Sequence, residues 1–280
     1  MVLLKIADKK QKTYWPILFI MCLAITSKAF SNELEAFNQL YQSVIEQHWH
    51  SQQTINGIRT TSFDYGAIKE SDANQLEKAQ SILETFSHKF RSKQEEKAFW
   101  INVYNFAAMK LVADHYPVQS IRSLKISIVK HPWSKKIVNI AGKTYSLSEI
   151  EKDILLKRFQ DSRILFAVNC AAVSCPDREP KLYTPMALDQ QLDNVVETFF
   201  KNNTKGLSIE GKDIYLAWIL KKDRAIIESK HGSLTNFLSQ YVDDGIRNTL
   251  EAANNEFNFF EHDWTLNDYR LVDKGGDNER

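Results

Sequence analysis

The fold is decided by the stretch Ala98-Phe-Trp-Ile-Asn-Val-Tyr-Asn-Phe-Ala-Ala-Met-Lys-Leu-Val112, which is apolar at nearly every position. A helix at the surface of a protein needs a polar face, and this segment has almost none. The capping-box pattern Ser92-Lys-Gln-Glu95 precedes it and Pro117 follows it, so we predict a helix from Glu95 to Tyr116. The sequence therefore predicts a central helix that the rest of the fold encloses.

Two asparagines, Asn102 and Asn105, lie one turn apart on the same face of this helix. An unpaired buried amide costs about 1–3 kcal/mol, so both side chains need hydrogen-bond partners. Two interpretations remain open. The amides hold a loop by bonding to its backbone, or they line a binding pocket together with Trp100 and Tyr104.

A second informative stretch is Arg163-Ile-Leu-Phe-Ala-Val-Asn-Cys-Ala-Ala-Val-Ser-Cys-Pro176. Its apolar part, Ile164 to Val168, predicts a short strand covered on both faces, and Cys170 follows where that strand ends. A thiol held by a rigid element suits a nucleophile, but it suits a structural disulfide with Cys175 equally well. Ser174 and Cys175 belong to the same candidate binding loop.

The enzyme hypothesis for this loop is a thiol-dependent hydrolase or acyl transferase that acts on peptide or cell-envelope material. Cys170 would be the nucleophile, Asn169 or the loop amides would stabilise an oxyanion, and Glu151 would transfer a proton or orient a partner. A thiol of pKa about 8.5 also needs a nearby base or cation. No spacing selects one among the candidate histidines, which include His115, His131, His231 and His262.

The alternative hypothesis is a non-catalytic binding module in which Cys170 and Cys175 form a structural disulfide. Its ligand, an unidentified small molecule or peptide, would occupy a cleft beside the central helix. The Cys-x4-Cys spacing lacks a second ligand pair for zinc, and no glycine-rich phosphate loop is present, so we expect no metal and no cofactor. The chain has a formal net charge of +1 and no basic stripe, so we expect no nucleic-acid partner.

The N-terminal residues have the pattern of a secretory signal peptide. Lysines at positions 5–12 precede the apolar run Tyr14–Thr26, and Ser27-Lys-Ala29 offers small residues for cleavage. We therefore predict that residues 1–29 are removed and that the protein is secreted or periplasmic, meeting the membrane only during export. Removal also takes away Cys22, which leaves Cys170 and Cys175 as the only cysteines in an oxidising compartment.

The rest of the chain predicts a helical extension over residues 30–58, a single globular domain over 59–270 and a flexible tail over 271–280. The predicted fold class is α+β, a mostly antiparallel sheet packed on helices around the buried central helix. Further predicted helices begin near Asn32 (to about His50), Ser71, Ser146 and Thr184, and two more cover about 218–229 and 233–253. Predicted strands are Phe63–Tyr65, Leu124–Val129, Ile137–Ile140 with Thr144–Tyr145, Leu207–Ile209 with Ile214–Leu216, and Phe257–Trp264.

Several blocks of sequence carry a resemblance to a known family: Phe99-Trp-Ile-Asn-Val-Tyr-Asn105, His115-Tyr-Pro117, Asn169-Cys-Ala171 and Ser174-Cys-Pro176. With these blocks the chain resembles, over roughly residues 60–270, the domain-of-unknown-function family numbered 547. The resemblance implies a domain of bacterial exported proteins and of plants, without an established activity. The family commonly has histidine where this chain has Lys152 and Leu165, which implies that an imidazole base at either position is missing here.

Overall fold

The structure is a computed structural model that describes residues 33–128, 131–253 and 256–273. The predicted signal peptide, residues 1–29, lies outside the described residues. So do residues 30–32 of the predicted extension and residues 274–280 of the predicted tail. Within the described ranges, no helix has the length and the apolarity that crossing a bilayer requires.

The central helix, α4 (Lys93–His115), is confirmed and starts two residues earlier than predicted. The Ser92 hydroxyl accepts a hydrogen bond from the backbone N–H of Glu95, and the Glu95 carboxylate accepts one from the N–H of Arg91. This reciprocal capping fixes the start of the helix. Every residue from Lys97 to Ala113 except Lys110 is buried, so α4 lies inside the fold along most of its length.

The first helix, α1 (33–48), packs against α4 through aromatic side chains. The rings of Phe37 and Tyr41 both meet the ring of Phe106 edge-on, with centroids 5.3 Å apart in each pair. Both residues are fully buried and belong to the same core as α4. Residues 33–48 therefore share the main hydrophobic core.

A β-hairpin follows α1, where the sequence analysis expected helix to about His50 and extended structure only near Phe63. Strands β1 (Trp49–Ile55) and β2 (Ile58–Phe63) are antiparallel. Asn56 and Gly57 join them with φ of 52° and 75°, the left-handed pair of a type I′ turn. The prediction was wrong here because β1 is largely polar, which hid the strand although the Asn-Gly turn signal was present.

The segment after β2 begins with the single turn α2 (Tyr65–Ala67), and α3 (Ala73–Glu84) then confirms the helix predicted from Ser71. The hairpin of β3 (Lys136–Ile140) and β4 (Lys143–Ser146) is also confirmed. The predicted strand at Leu124–Val129 is wrong over 124–128, where the chain forms turns, and Val129 lies outside the described residues.

The predicted helix after Ser146 is present, but its first part is wound as a π-helix. Glu149–Leu156 is this π-helical segment, and α5 (Lys157–Phe159) continues it. π-helical turns occur frequently at functional sites. This one carries Glu151 and Lys152.

The strand predicted at Ile164–Val168 is wrong. These residues form the short helix α6 (Ile164–Ala167), which is buried on all sides. A short run that is apolar throughout has no periodicity to distinguish a buried strand from a buried helix turn. A buried element nevertheless leads into the cysteine loop, as expected, because Val168 after α6 is extended and leads directly to Asn169.

The C-terminal half contains helices and a three-stranded sheet. Strand β6 (Asp213–Leu216) pairs antiparallel with β5 (Leu207–Glu210) and parallel with β7 (Asn258–Phe259), so small sheets packed among helices give the α+β class that the sequence predicted. The helix expected from Thr184-Pro185 begins at Leu188, and each of the two later predicted helices is divided in two. The elements are α7 (Leu188–Phe200), β5 (Leu207–Glu210), β6 (Asp213–Leu216), α8 (Trp218–Lys222), α9 (Arg224–His231), α10 (Leu234–Leu238), α11 (Asp244–Ala252) and β7 (Asn258–Phe259).

Candidate functional site

The cysteine loop, residues 169–176, is attached to the central helix by Asn105. The Asn105 side chain accepts a hydrogen bond from the backbone N–H of Asn169 at 2.8 Å and donates one to the backbone carbonyl of Ala167 at 2.9 Å. Both groups are buried, so each bond removes the cost of an unpaired polar atom. Asn105 therefore fixes the point where α6 ends and the loop begins.

Asn169 closes the loop from within. Its side-chain oxygen accepts from the N–H of Ala171 at 2.7 Å, and its amide nitrogen donates to the carbonyl of Pro176 at 2.6 Å. Ala171 has a φ of 62°, in the left-handed region that alanine rarely adopts. The Asn169 bonds hold this conformation and bring the two ends of the loop together.

Lys205 holds the other side of the loop, and sequence reasoning missed it. Its side chain is 1% exposed, and its ammonium donates to the carbonyls of Val173 and Cys175 at 3.0 and 2.9 Å. It also forms an ion pair with Asp177 at 2.8 Å. Burial lowers the pKa of Lys205, and Asp177 opposes that shift. No local pattern marks Lys205, because its partners in the loop lie about 30 residues away in sequence and Thr60, to which it also donates, lies much farther away.

The loop contains a disulfide between Cys170 and Cys175, whose Cα atoms are 6.2 Å apart. Cys175 is buried and Cys170 is partly exposed. Attack on a substrate requires a thiolate. In this state neither sulfur can become one, so neither cysteine of the loop is a nucleophile in the oxidised protein.

A cavity of about 450 Å³ lies over the disulfide. Four aromatic side chains form much of its wall, and three cationic side chains and one carboxylate also line it. The aromatic residues are Tyr104, Trp133, Trp218 and Trp264, the charged residues are Arg122, Lys152, Lys222 and Glu151, and the other lining residues include His131, Ser174 and His262.

The C-terminal segment supplies one wall of the cavity and is tied to the cysteine loop. The Ser174 hydroxyl accepts from the backbone N–H of Asp263 at 3.0 Å, and the N–H of Val173 donates to the carbonyl of Thr265 at 2.9 Å. These bonds place His262 and Trp264, which flank Asp263, beside the disulfide.

Glu151 is buried in the cavity wall beside Tyr104 and Lys222. The Tyr104 hydroxyl and the Lys222 ammonium each lie 3.4 Å from a Glu151 oxygen, and the same ammonium lies 2.8 Å from Asp223. Burial and the nearby Glu151 charge raise the pKa of Tyr104 far above its usual value. Burial by itself lowers the pKa of Lys222, but Glu151 and Asp223 outweigh it and the pKa is raised. Tyr104 is thus a neutral hydrogen-bond donor, and the positive charge of Lys222 is balanced by the carboxylates of Glu151 and Asp223.

Two histidines line the cavity as neutral imidazoles at pH 7. Burial lowers the pKa of His262 to about 4 against the attraction of Asp263, and burial together with Arg122 and Lys152 lowers that of His131. The buried Nε2 of His262 has no hydrogen-bond partner among the described residues. A ring nitrogen of His262 and the two cysteine sulfurs lie within 4.8 Å of one another.

Two cations at the cavity have no carboxylate partner among the residues that the structure describes. The guanidinium of Arg122 lies 5.0 Å from the centroid of the Trp264 ring, and Lys152 is exposed. Neither side chain forms an ion pair within the described part of the chain. Lys152 occupies one position where the family resemblance implies histidine. Leu165, the other such position, is fully buried in the core away from the cavity lining.

The structure brings together five of the nine predicted site residues: Cys170, Cys175, Ser174, Tyr104 and Glu151 all line the cavity. The other four, Trp100, Asn102, Asn105 and Asn169, are not part of its lining.

Asn102 and Trp100 have structural contacts. The Asn102 side chain accepts from the N–H of Tyr183 at 3.0 Å and donates to its carbonyl at 2.9 Å. The Trp100 ring packs edge-on against Tyr145, with centroids 5.4 Å apart. These two residues and Asn105 are therefore placed to support loops and the core rather than a ligand.

Among the histidines considered as a base, His115 and His231 lie away from the disulfide. His115 bonds to the carbonyl of Leu111 within α4, and His231 bonds to Ser162. His131 and His262 reach the cavity, and His262 is the one that approaches the sulfurs.

The comparisons with known proteins concern the part of the chain that holds α4 and the cysteine loop. Residues 88–200 match the family model described as "Protein of unknown function, DUF547". The resemblance seen in the sequence is therefore confirmed over that segment. Trp218, His262 and Trp264, which complete the cavity, lie outside the matched residues. No curated protein and no solved structure matches the chain.

Proposed function

We propose that this protein is a non-catalytic binding module whose ligand occupies the cavity over the Cys170–Cys175 disulfide. The ligand that suits the cavity is a small anion with a planar or otherwise apolar ring. The observation that carries this proposal is the lining itself, in which an aromatic wall adjoins two cations, Arg122 and Lys152, that lack a carboxylate partner in the described part of the chain.

The size and the walls of the cavity support a ring-bearing ligand. A volume of about 450 Å³ falls within the range of small-molecule sites, which are mostly apolar with a few polar groups. Trp264 meets Trp133 and Trp218 edge-on, with centroids 5.2 and 5.8 Å away, so the three indoles form one continuous surface. An aromatic contact on such a surface contributes about 0.5–1.5 kcal/mol beyond burial.

The charges support an anionic ligand. Lys222 is compensated by Glu151 and Asp223, whereas Arg122 and Lys152 have no ion pair with any described residue. Their positive potential is therefore available to an incoming carboxylate, sulfonate or phosphate. The indoles would hold the body of the ligand and these two side chains its charge.

The disulfide favours binding over thiol chemistry. The alternative, a hydrolase or acyl transferase that acts on peptide or cell-envelope material, needs Cys170 as a thiolate, and Cys170 is bonded to Cys175. A disulfide is also typical of oxidising compartments. It agrees with our prediction of a secreted or periplasmic protein. That this protein meets the membrane only during export and binds no nucleic acid stays a prediction.

Two fluorescent probes test the proposal. The anionic 8-anilinonaphthalene-1-sulfonate carries a ring system and one sulfonate, and N-phenyl-1-naphthylamine is a neutral analogue. We expect saturable binding of both, tighter for the anion. Trp264→Leu should weaken both probes, because it removes the shared apolar wall.

Variants that remove a positive charge distinguish the contribution of the two cations from that of the aromatic wall. Arg122→Gln and Lys152→Gln should each weaken the anionic probe about three-fold and leave the neutral one unchanged, an effect of the size of an exposed ion pair. Lys212→Gln, at an exposed hairpin turn outside the cavity lining, is the matched control. Equal affinity of all variants for the anion would contradict the proposal.

A further inference from the structure

Three potential metal ligands converge in the cavity wall: the sulfurs of Cys170 and Cys175 and a ring nitrogen of His262. These atoms all lie within 4.8 Å of one another. His262 comes from the C-terminal segment, which the bond from the Asp263 N–H to the Ser174 hydroxyl fixes beside Cys175. The cluster is thus held by two separate parts of the chain.

We propose that reduction of the Cys170–Cys175 disulfide creates a Zn²⁺ site made by Cys170, Cys175 and His262. A thiol reductant supplies two electrons and two protons. The S–S bond breaks, Cys170 and Cys175 become thiols, and two reductant thiols become a disulfide. Zn²⁺ then binds both sulfurs as thiolates and releases their two protons to solvent.

The geometry of the cluster suits this ion. Tetrahedral Zn²⁺ with Zn–S of about 2.3 Å and Zn–N of about 2.0 Å places its ligand atoms roughly 3.5–3.8 Å apart. The Cα atoms of the two cysteines are 6.2 Å apart, so side-chain rotation can separate the reduced sulfurs while the backbone stays in place. The imidazole has to approach the sulfurs by about an ångström.

His262 is available as a ligand. Its buried Nε2 has no hydrogen-bond partner among the described residues, and a metal ion would satisfy a ring nitrogen that the protein leaves unpaired. Its ring packs against those of Trp264 and Trp218, with centroids 4.0 and 4.8 Å away. These contacts already hold the imidazole beside the disulfide before the cysteines are reduced.

The donor set and the charge favour zinc over hard cations. Thiolate and imidazole donors suit Zn²⁺, whereas Mg²⁺ and Ca²⁺ require oxygen ligands. Two thiolates and a neutral imidazole balance the ion, so the partly buried site gains no net charge. Three protein ligands leave a fourth position open, as in catalytic zinc sites, and here it would face the cavity.

The hydrogen bonds that hold the cysteine loop do not depend on the disulfide. Asn169 joins the two ends of the loop through Ala171 and Pro176, and Lys205 binds the carbonyls of Val173 and Cys175. None of these bonds involves a sulfur. Both cysteines therefore stay beside His262 after the disulfide opens.

The test uses the full chain carrying Cys22→Ser, which removes the third cysteine. The protein is reduced with dithiothreitol, freed of reductant under argon and titrated with Co²⁺ and then Zn²⁺. We expect one equivalent of Co²⁺, with the thiolate charge-transfer band and the intense visible bands of tetrahedral cobalt, and its displacement by Zn²⁺. The oxidised protein should give neither band.

The variants assign the ligands. His262→Gln should lower the metal affinity at least ten-fold, whereas His231→Gln, which alters an imidazole away from the disulfide, should leave it unchanged. Near-UV circular dichroism of the reduced protein verifies that it remains folded. A reduced chain that unfolds and stays unfolded with Zn²⁺, a folded one that binds no Co²⁺, or a His262→Gln variant with wild-type affinity would overturn the proposal. Probe binding by the oxidised protein tests the proposed function independently.

Discussion

Two asparagines of the central helix and three side chains of the cavity differ in whether their polar groups are paired: Asn102 and Asn105 are paired with the backbone, whereas Arg122, Lys152 and His262 lack a comparable partner among the described residues. Asn102 and Asn105 on α4 each accept one backbone N–H and donate to one backbone carbonyl. In the cavity, Arg122 and Lys152 have no ion pair and His262 has an unpaired Nε2, within the described residues. The difference separates groups that hold the fold from groups that remain available to a ligand.

The largest effect on stability should come from a paired group, Lys205. Lys205→Met leaves the largely buried carboxylate of Asp177 without its cation and removes the donor to two loop carbonyls. We expect the free energy of unfolding to fall by about 3–5 kcal/mol. Urea denaturation measures this loss, with the exposed Lys212→Met as control. A fall in the free energy of unfolding of less than about 1 kcal/mol would contradict the distinction between paired groups that hold the fold and groups that remain available to a ligand.

Asn105→Ala should have the next largest effect. The substitution leaves the N–H of Asn169 and the carbonyl of Ala167 buried without their partner. Each unpaired group costs about 1–3 kcal/mol, or about 2–6 kcal/mol for the two, and we expect the free energy of unfolding in urea denaturation to fall by about 2–4 kcal/mol, in the lower part of that range. The control is Asn194→Ala at an exposed helical pair with Gln190, where the change should stay within about 0.5 kcal/mol. Similar losses in the two variants would contradict the structural role of Asn105.

The features that the sequence predicts fall along the same division. α4 was predictable because Ser92 and Pro117 mark its ends and its apolar residues leave no polar face. The need of Asn102 and Asn105 for partners was also predictable from burial. Which backbone groups they bind was not, because Tyr183 and Ala167 lie far away in sequence.

The failures also have physical causes. α6 was predicted as a strand because a fully apolar run carries no period. The hairpin β1–β2 was missed because β1 is largely polar, and only its Asn-Gly turn indicated it. His262 could be considered only as one histidine among several. Its approach to the sulfurs depends on the bond between Asp263 and Ser174, which no local pattern encodes.

The protonation of His262 should make the stability of the fold depend on pH, with an effect of intermediate size. Burial lowers its pKa to about 4, against about 6.5 in the unfolded chain. The folded state binds fewer protons, so its stability should fall as the pH decreases from about 6.5 to about 4 and level off below that. With allowance for the partial exposure of His262, the free energy of unfolding should fall by about 2 kcal/mol more between pH 7 and pH 4 in the wild type than in His262→Gln. Parallel pH profiles would show that His262 is not held neutral by burial.

The smallest effect on stability should come from the unpaired cation Lys152. Because the side chain is exposed and forms no ion pair within the described residues, Lys152→Gln should change the free energy of unfolding by less than about 0.5 kcal/mol. Urea denaturation measures this, while the same variant weakens the anionic probe. A loss of more than about 1 kcal/mol would place Lys152 among the groups that hold the fold.

The most direct test of the binding cavity is an NMR titration of the oxidised protein with 8-anilinonaphthalene-1-sulfonate, observed at the indole N–H groups. We predict that the signals of Trp133, Trp218 and Trp264 shift together with one saturation curve. Those of Trp49, which donates to the carbonyl of Arg178, and of the buried Trp100 should stay in place. A shift confined to Trp49 or Trp100, or saturation without movement of the three cavity indoles, would contradict the account.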